Sequence, residues 1–178
     1  MNRVDLCDAV KLHRVRFILN PDDEWSKFPD HLKTIVQQPW IEFKYFSDDN
    51  STINTAIEDV PNTCGGIYLF YIKADVIPEI HLYLAYIGRA RSTDYQNLRK
   101  RIREYEAETK RFKICELKRH WSSYLYVRYL PLPQANNDLI DELEDELIKA
   151  TLPPFNDKYP KVYIEFRHQG DERHGFIS

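Results

Sequence analysis

Two short apolar runs dominate the hydropathy pattern, Gly66–Lys73 (GIYLFYIK) and Leu82–Gly88 (LYLAYIG). Both are rich in aromatic and branched residues. A Pro-containing break at Val76–His81 separates them, which predicts an antiparallel hairpin. The spacing then turns helical. Leu98, Ile102 and Tyr105 recur on one face of a basic helix predicted over Tyr95–Glu108, with Ser92-Thr93-Asp94 as its N-cap cluster. Phe112–His120 reads as a second helix with mixed faces. Tyr124–Leu130 predicts a third strand, stopped by Pro131 and Pro133. Asn136-Asn137-Asp138 caps a helix over Leu139–Ala150, which Leu152-Pro153-Pro154 ends. Val162–Phe166 reads as a last strand before a tail. The expected class is α/β (α+β), with a three-stranded antiparallel sheet flanked by helices.

Residues 1–60 carry a weaker pattern. It predicts a strand at Val15–Leu19, a turn at Asn20–Asp23, a helix at Trp25–Val36 and a strand at Trp40–Phe46. A polar turn at Ser47–Thr52 and one helical turn at Thr55–Val60 follow, ended by Pro61. Trp25, Phe28, Trp40, Phe43 and Phe46 read as packing residues, with a base-stacking platform as the alternative. The expected organisation is an N-terminal α/β elaboration (1–60), a main domain (61–160) and a C-terminal strand and tail (161–178). No internal repeat or low-complexity segment appears.

Composition narrows the class. Of the 178 residues, 43% are hydrophobic and 30% charged, as in ordinary globular proteins. No stretch suggests a membrane span, and Met1–Asp5 does not open like a signal peptide, so a cytoplasmic protein without a membrane partner is expected. Cys7, Cys64 and Cys115 are odd in number and far apart, so free thiols are expected. The net charge is −3, but it is unevenly spread: Arg89–Arg128 holds twelve Lys and Arg against five Asp and Glu, about +7, leaving about −10 elsewhere. Such a segment suits phosphate, or else it is a solvated helical surface laced with ion pairs. On the first reading Arg89, Arg99, Lys100, Arg103, Lys110, Arg111, Lys118 and Arg119 are candidate contacts to DNA phosphates.

Three side-chain types carry candidate chemistry. Glu144 lies one helical turn from both Ile140 and Ile148, on a face bordering Leu143 and Leu147, while most of the many acids of its helix are expected to be solvated. A carboxylate there needs a metal or an Arg, unless it sits at the edge and pairs with a surface Lys. Arg101 shares a helical face with Tyr105 and offers a fixed fork of donors. Tyr68 and Tyr86 lie on strands, where Tyr is common; as a base near neutral pH either would need nearby cations, because free Tyr titrates near about 10.

Gly66-Ile67-Tyr68 followed by Tyr86-Ile87-Gly88 resembles the two-part signature of the GIY-YIG nucleases. Arg101, Tyr105, Glu144 and Asn156 follow in the order of the family pattern, so the resemblance spans roughly Thr63 to Asp157. It implies a divalent-metal-dependent endonuclease acting on DNA, with one Mg²⁺ or Mn²⁺ per active site held by Glu144. It also implies Tyr68 as general base or orienter of the attacking water, and Tyr86 and Tyr105 as hydrogen-bond donors to phosphate or nucleophile. Arg101 would stabilise transition-state charge. Gly66, Gly88 and Asn156 would be structural, and Arg89, following Gly88, a secondary phosphate contact. Among relatives a restriction or host-defence enzyme fits best, acting as a homodimer on duplex DNA, with residues 1–60 supplying dimer contacts or target recognition. A structure-specific repair or recombination nuclease, and a non-catalytic nucleic-acid-binding module, are the alternatives.

Overall fold

A computed structural model describes residues 25–74, 77 and 82–159. The elements expected at Val15–Leu19, Asn20–Asp23 and Val162–Phe166, and most of the break at Val76–His81, lie outside the described residues. Helix α1 (Asp30–Val36) leads to β1 (Ile41–Lys44) and a 3-10 turn at Thr55–Asp59. The hairpin strands β2 (Gly66–Lys73) and β3 (Leu82–Ala90) follow, then helices α2 (Leu98–Arg103) and α3 (Phe112–Trp121), strand β4 (Leu125–Pro131) and helix α4 (Asn137–Thr151). Among the described residues no helix is long and apolar enough to cross a membrane.

The sheet is antiparallel throughout and has four strands, not three, in the order β1-β4-β2-β3. The extra strand is the one predicted at Trp40–Phe46. It does not stand apart in an N-terminal elaboration: Ile41–Lys44 pairs with β4, and Glu42 faces Arg128 across the pair, accepting from its guanidinium at 2.6 Å. Four short residues with two exposed positions gave little reason to assign it to the same sheet.

Central strand β2 is paired on both edges and covered on both faces, so nearly every residue is buried. Alternation sorts its side chains into two cores. Tyr68, Phe70 and Ile72 join Leu98 and Ile102 of α2 and Ile114 and Leu117 of α3 on one face. Ile67 joins Leu32 of α1 and Ile140, Leu143 and Leu147 of α4 on the other. Each such large apolar side chain contributes roughly 1.5–3 kcal/mol on burial. The aromatic surplus of residues 25–46 is largely spent here: Phe28 and Phe46 are buried, Trp40 and Phe43 pack against the cores, and Trp25 stacks on Phe28 at 5.6 Å.

The basic helix is shorter than Tyr95–Glu108. Asn97, not the Ser92–Asp94 cluster, caps it, its side chain accepting from the Lys100 N–H at 2.9 Å. Thr93 instead closes a tight turn with Gln96, through backbone bonds of 3.0 and 3.3 Å. Past Arg103 the backbone tightens to i→i+3 bonds, and one of them, Tyr105 to Ile102, holds the residue that the helix was expected to carry.

Strand β3 is an edge, and an edge leaves backbone groups unpaired. Asn156 fills part of that gap: its side-chain oxygen accepts from the Ile87 N–H at 3.0 Å and its NH₂ donates to the Ile87 carbonyl at 2.8 Å. Asn137 does the same for Ser92 just beyond the strand, at 2.9 and 3.2 Å. Replacing Asn156 by Ala removes both bonds from a buried position and should lower stability by roughly 2 kcal/mol. Asn156→Asp should be at least as harmful at neutral pH, because a carboxylate cannot donate to the Ile87 carbonyl. Urea unfolding midpoints of the two variants check this, and an unshifted midpoint for Asn156→Ala would refute the edge-capping role.

Candidate active site

The two tripeptides meet across the hairpin. Tyr68 on β2 faces Gly88 on β3. A Cβ at Gly88 would stand 2.5 Å from the Tyr68 hydroxyl oxygen and 2.8 Å from the Tyr86 ring, so the missing side chain is the space in which the Tyr68 phenol lies. A Cβ at Gly66 would meet the Leu130 carbonyl of β4 at 2.3 Å, so this glycine keeps β2 and β4 in register. Between them sits an irregularity. Phe70 pairs with Tyr86 but Tyr71 pairs with Leu84, leaving Ala85 as the extra residue of a bulge. With it, Ala85 and Tyr86 both join the α2–α3 core, and Tyr86 is aimed at Tyr105.

Three buried phenols then form a chain. The Tyr68 and Tyr105 hydroxyls are 2.7 Å apart, and Tyr105 donates to Tyr86 at 3.0 Å. A phenol has one proton, so with Tyr105 donating to Tyr86, Tyr68 must donate to Tyr105. Tyr86 also accepts from Arg111 Nη1 at 3.4 Å, which leaves its own proton free to donate into the pocket it lines. Arg101 and Arg111 lie over the Tyr105 ring, 5.5 and 4.6 Å from its centre. Burial pushes the Tyr68 and Tyr86 phenols well above their ordinary value, and the adjoining phenols add to the shift; Arg101 and Arg111 offset only part of it. In the resting protein both tyrosines are therefore neutral donors.

Across the pocket, α4 presents its carboxylates to β3. Glu144 is only 8% exposed, as its helical face predicts. Its partner is Arg89, whose guanidinium bridges Glu144 and Asp141, the latter at 2.5 Å. Arg91, just past the end of the strand, also holds Asp141 through Nε at 3.0 Å. This contact, ahead of Arg89, holds the Asp141 carboxyl below the usual carboxylate range.

Tyr68, Tyr86, Arg89, Arg101 and Glu144 line one open pocket of about 420 Å³. Asp141 and Arg91 were not singled out by the sequence; the signal was there, in the i−3 spacing from Glu144 and the two-residue spacing from Arg89. Arg111, a candidate phosphate contact, lies over the Tyr105 ring and reaches the Tyr86 hydroxyl from behind. The remaining basic candidates divide. Arg99 and Arg103 both reach Glu58, Arg99 also donating to the Val60 carbonyl at 2.7 Å. Lys100 donates to the Tyr95 carbonyl at 2.6 Å, and Lys118 to the Glu106 and Glu108 carbonyls at 2.9 and 2.7 Å. Arg119 pairs with Glu116 at 3.1 Å, and Lys110 is exposed. Much of the positive charge counted along the chain is thus matched by acids and carbonyls brought in by the fold.

The donor set bears on the expected metal. Among the described residues no three His, Cys, Asp or Glu side chains converge. Glu144 alone offers a carboxylate to the pocket, while Asp141 is tied to two arginines. One carboxylate does not make a protein cage for Zn²⁺ or Ca²⁺, but it fits Mg²⁺ or Mn²⁺ keeping its waters and completed by substrate phosphate oxygens. Arg89 already occupies one oxygen of that carboxylate, Oε2. Comparison with protein-family models, with curated proteins and with solved structures finds no match to this chain.

Two predictions follow from the phenol chain and its neighbouring glycine. The folded-state pKa of Tyr68 and of Tyr86 lies above the unfolded value of about 10. Their retained protons stabilise the fold fully below about pH 10, and this contribution is lost as pH rises through the folded values. Tyrosinate absorbance should show exposed tyrosines ionising near pH 10 and the buried set only together with loss of near-ultraviolet dichroism. A buried phenol ionising near pH 8 in the intact fold would contradict the arrangement. Separately, Gly88→Ala should leave a folded protein whose Tyr68 ring is displaced, readable as a changed tyrosine dichroism band; an unchanged band would mean the ring does not need that space.

Proposed function

We propose that this chain is a divalent-metal-dependent endonuclease hydrolysing DNA phosphodiester bonds, of the kind its resemblance to the GIY-YIG nucleases implies. The observation that carries the reading is convergence. Tyr68, Tyr86, Arg101 and Glu144, from β2, β3, α2 and α4, line one open pocket, with Tyr105 bonded behind. Nothing in packing alone requires three arginines, two phenols linked through a third and a buried carboxylate around one cavity.

Each residue then has a defined task. Arg101, permanently charged, faces phosphate oxygens and stabilises the charge that builds on them. Tyr68, neutral at rest, uses a hydroxyl lone pair to orient the attacking water. It takes the water's proton only as it hands its own to Tyr105, and the chain ends at Tyr86, whose proton faces the pocket. This resolves the difficulty of a tyrosine base near neutral pH: no free tyrosinate is needed. Glu144 would hold the Mg²⁺ or Mn²⁺, and when bound the ion supplies charge neutralisation at the phosphate and leaving oxygen. Arg89, released from Glu144, becomes a phosphate contact. A restriction or host-defence role, with a homodimer on duplex DNA, is the biological setting the resemblance favours.

Plasmid nicking with and without Mg²⁺ or Mn²⁺ tests the reading. Cleavage should need the ion and fall on the order of 10²-fold or more in Glu144→Gln, the scale of losing one preorganised electrostatic contact. Arg89 keeps Asp141 as a partner in that variant, so the thermal midpoint should move little. Glu142 pairs with His31 and Glu146 with Lys149, away from the pocket, so Glu142→Gln and Glu146→Gln should cut normally. DNA binding without cleavage under any divalent ion would establish the binding-module reading instead.

A further inference from the structure

We propose that Tyr95 and Phe112 are stacking platforms for nucleobases beside the phosphate held in the pocket, so that the strand is bound there with its bases unpaired. The inference rests on the nuclease reading of the pocket and names the substrate state it takes.

Among the described residues, eight large hydrophobic side chains are exposed, and two stand out: Tyr95 at 83% and Phe112 at 75%, against 41–49% for the other six. Tyr95 lies at the pocket wall, and Phe112 follows in the chain directly after a residue that touches that wall from behind. Tyr95 is in the turn between Thr93 and Gln96, two residues of the pocket wall. Phe112 opens α3, one residue after Arg111, whose guanidinium reaches the Tyr86 hydroxyl of the same wall.

The Tyr95 turn is held firmly. Thr93 and Gln96 exchange backbone bonds, Thr93 Oγ1 accepts from the Tyr95 N–H at 3.3 Å, and the Tyr95 carbonyl accepts from Lys100 at 2.6 Å. Gln96 is anchored in turn to Glu104 at 3.0 Å. A ring projecting from so fixed a backbone loses little freedom on stacking.

The surroundings choose the occupant. Phe112 is set within Lys110-Arg111-Phe112-Lys113, of which Lys110 is exposed while Arg111 pairs with Glu108 at 2.9 Å and Lys113 donates to the Asn156 carbonyl; Arg91, paired with Asp141, stands near the Tyr95 turn on the pocket wall. Single rings interleaved with cations, on two separate segments, match the alternation of π-face and phosphate along a nucleic-acid strand. A protein partner would call for one contiguous apolar patch. Bases inside a duplex are already stacked on each other and offer no face, so rings beside the phosphate favour an unpaired strand.

The test is binding in EDTA, where no cleavage occurs, using fluorescence anisotropy. The probes are a short oligothymidylate, an abasic strand of equal length and charge, and a blunt duplex. Oligothymidylate should bind more tightly than the abasic strand. Tyr95→Ala and Phe112→Ala should each weaken oligothymidylate about five-fold or more, the scale of one base–aromatic stack, and leave the abasic strand unchanged. Tyr95→Trp should keep the wild-type preference. Both rings are on the surface, so these variants fold. Equal affinity for the base-bearing and abasic strands, an equal loss on both in the variants, tighter binding of the duplex, or an effect only on self-association would each overturn the proposal while metal-dependent nicking still stood. Failure to bind any probe, together with no nicking, would remove the nuclease reading as well.

Discussion

Three largely buried phenol hydroxyls satisfy one another at the wall of the pocket, and much of the structure around them follows from that requirement. Each has one proton to give, so the chain from Tyr68 through Tyr105 to Tyr86 has a direction, and a fourth donor, Arg111, is accommodated at its end. Placing three rings within reach sets local conditions on the backbone. Gly88 leaves room for the Tyr68 ring, and the bulge at Ala85 aims Tyr86. The tight turns after α2 bring Tyr105 inward. Tyr45, fully buried, supports α2 by donating to the Ile102 carbonyl at 2.9 Å, immediately before those turns. An unpaired hydroxyl in this setting would cost on the order of 1–3 kcal/mol, so the positions are coupled by more than packing.

The opposite wall of the pocket is organised by charge. Arg89 near the end of β3 and Arg91 just beyond it meet Asp141 and Glu144, one helical turn apart on α4. These pairs, with the Asn137 and Asn156 amides, fix the edge strand to the helix and to the segment behind it. The edge is thereby covered rather than offered to another chain, and the orientation of Arg89 is set by two carboxylates at once.

How much of this was legible depended on range. Strands β2 and β3 and helix α4 were readable because each carries its own period: a continuous apolar run for a strand buried on both faces, and a 3.6-residue stripe for α4. The inward face of Glu144 came from that stripe alone. The membership of β1 in the sheet was not readable, since four residues paired with a strand more than 80 positions away leave no local mark. The same holds for the pairing of Arg99 and Arg103 with Glu58, over 40 residues distant. The extent of α2 was misjudged for a nearer reason. Ser92-Thr93-Asp94 and Asn97 are all capping residues, and only the turn that Thr93 makes with Gln96 decides that Asn97 is the cap.

The two walls impose a common condition on chemistry in the pocket. On one side the phenols are neutral and their protons are committed in sequence, so none can accept a proton without passing one on. On the other, Glu144 already has a cation, and its charge is not free until Arg89 turns away. A metal ion approaching alone meets a neutralised carboxylate and an arginine beside it, which disfavours its binding. A phosphate changes both terms: it gives Arg89 another anion and gives the metal oxygen ligands that a single carboxylate cannot supply. On the proposed reading, metal and phosphate would strengthen each other's binding, as linkage requires of two ligands that relieve the same intramolecular contact. The Arg89–Glu144 pair neutralises the one carboxylate that lines the resting pocket, and if the pocket is the proposed nuclease site, an arriving anion is what would draw Arg89 away from it.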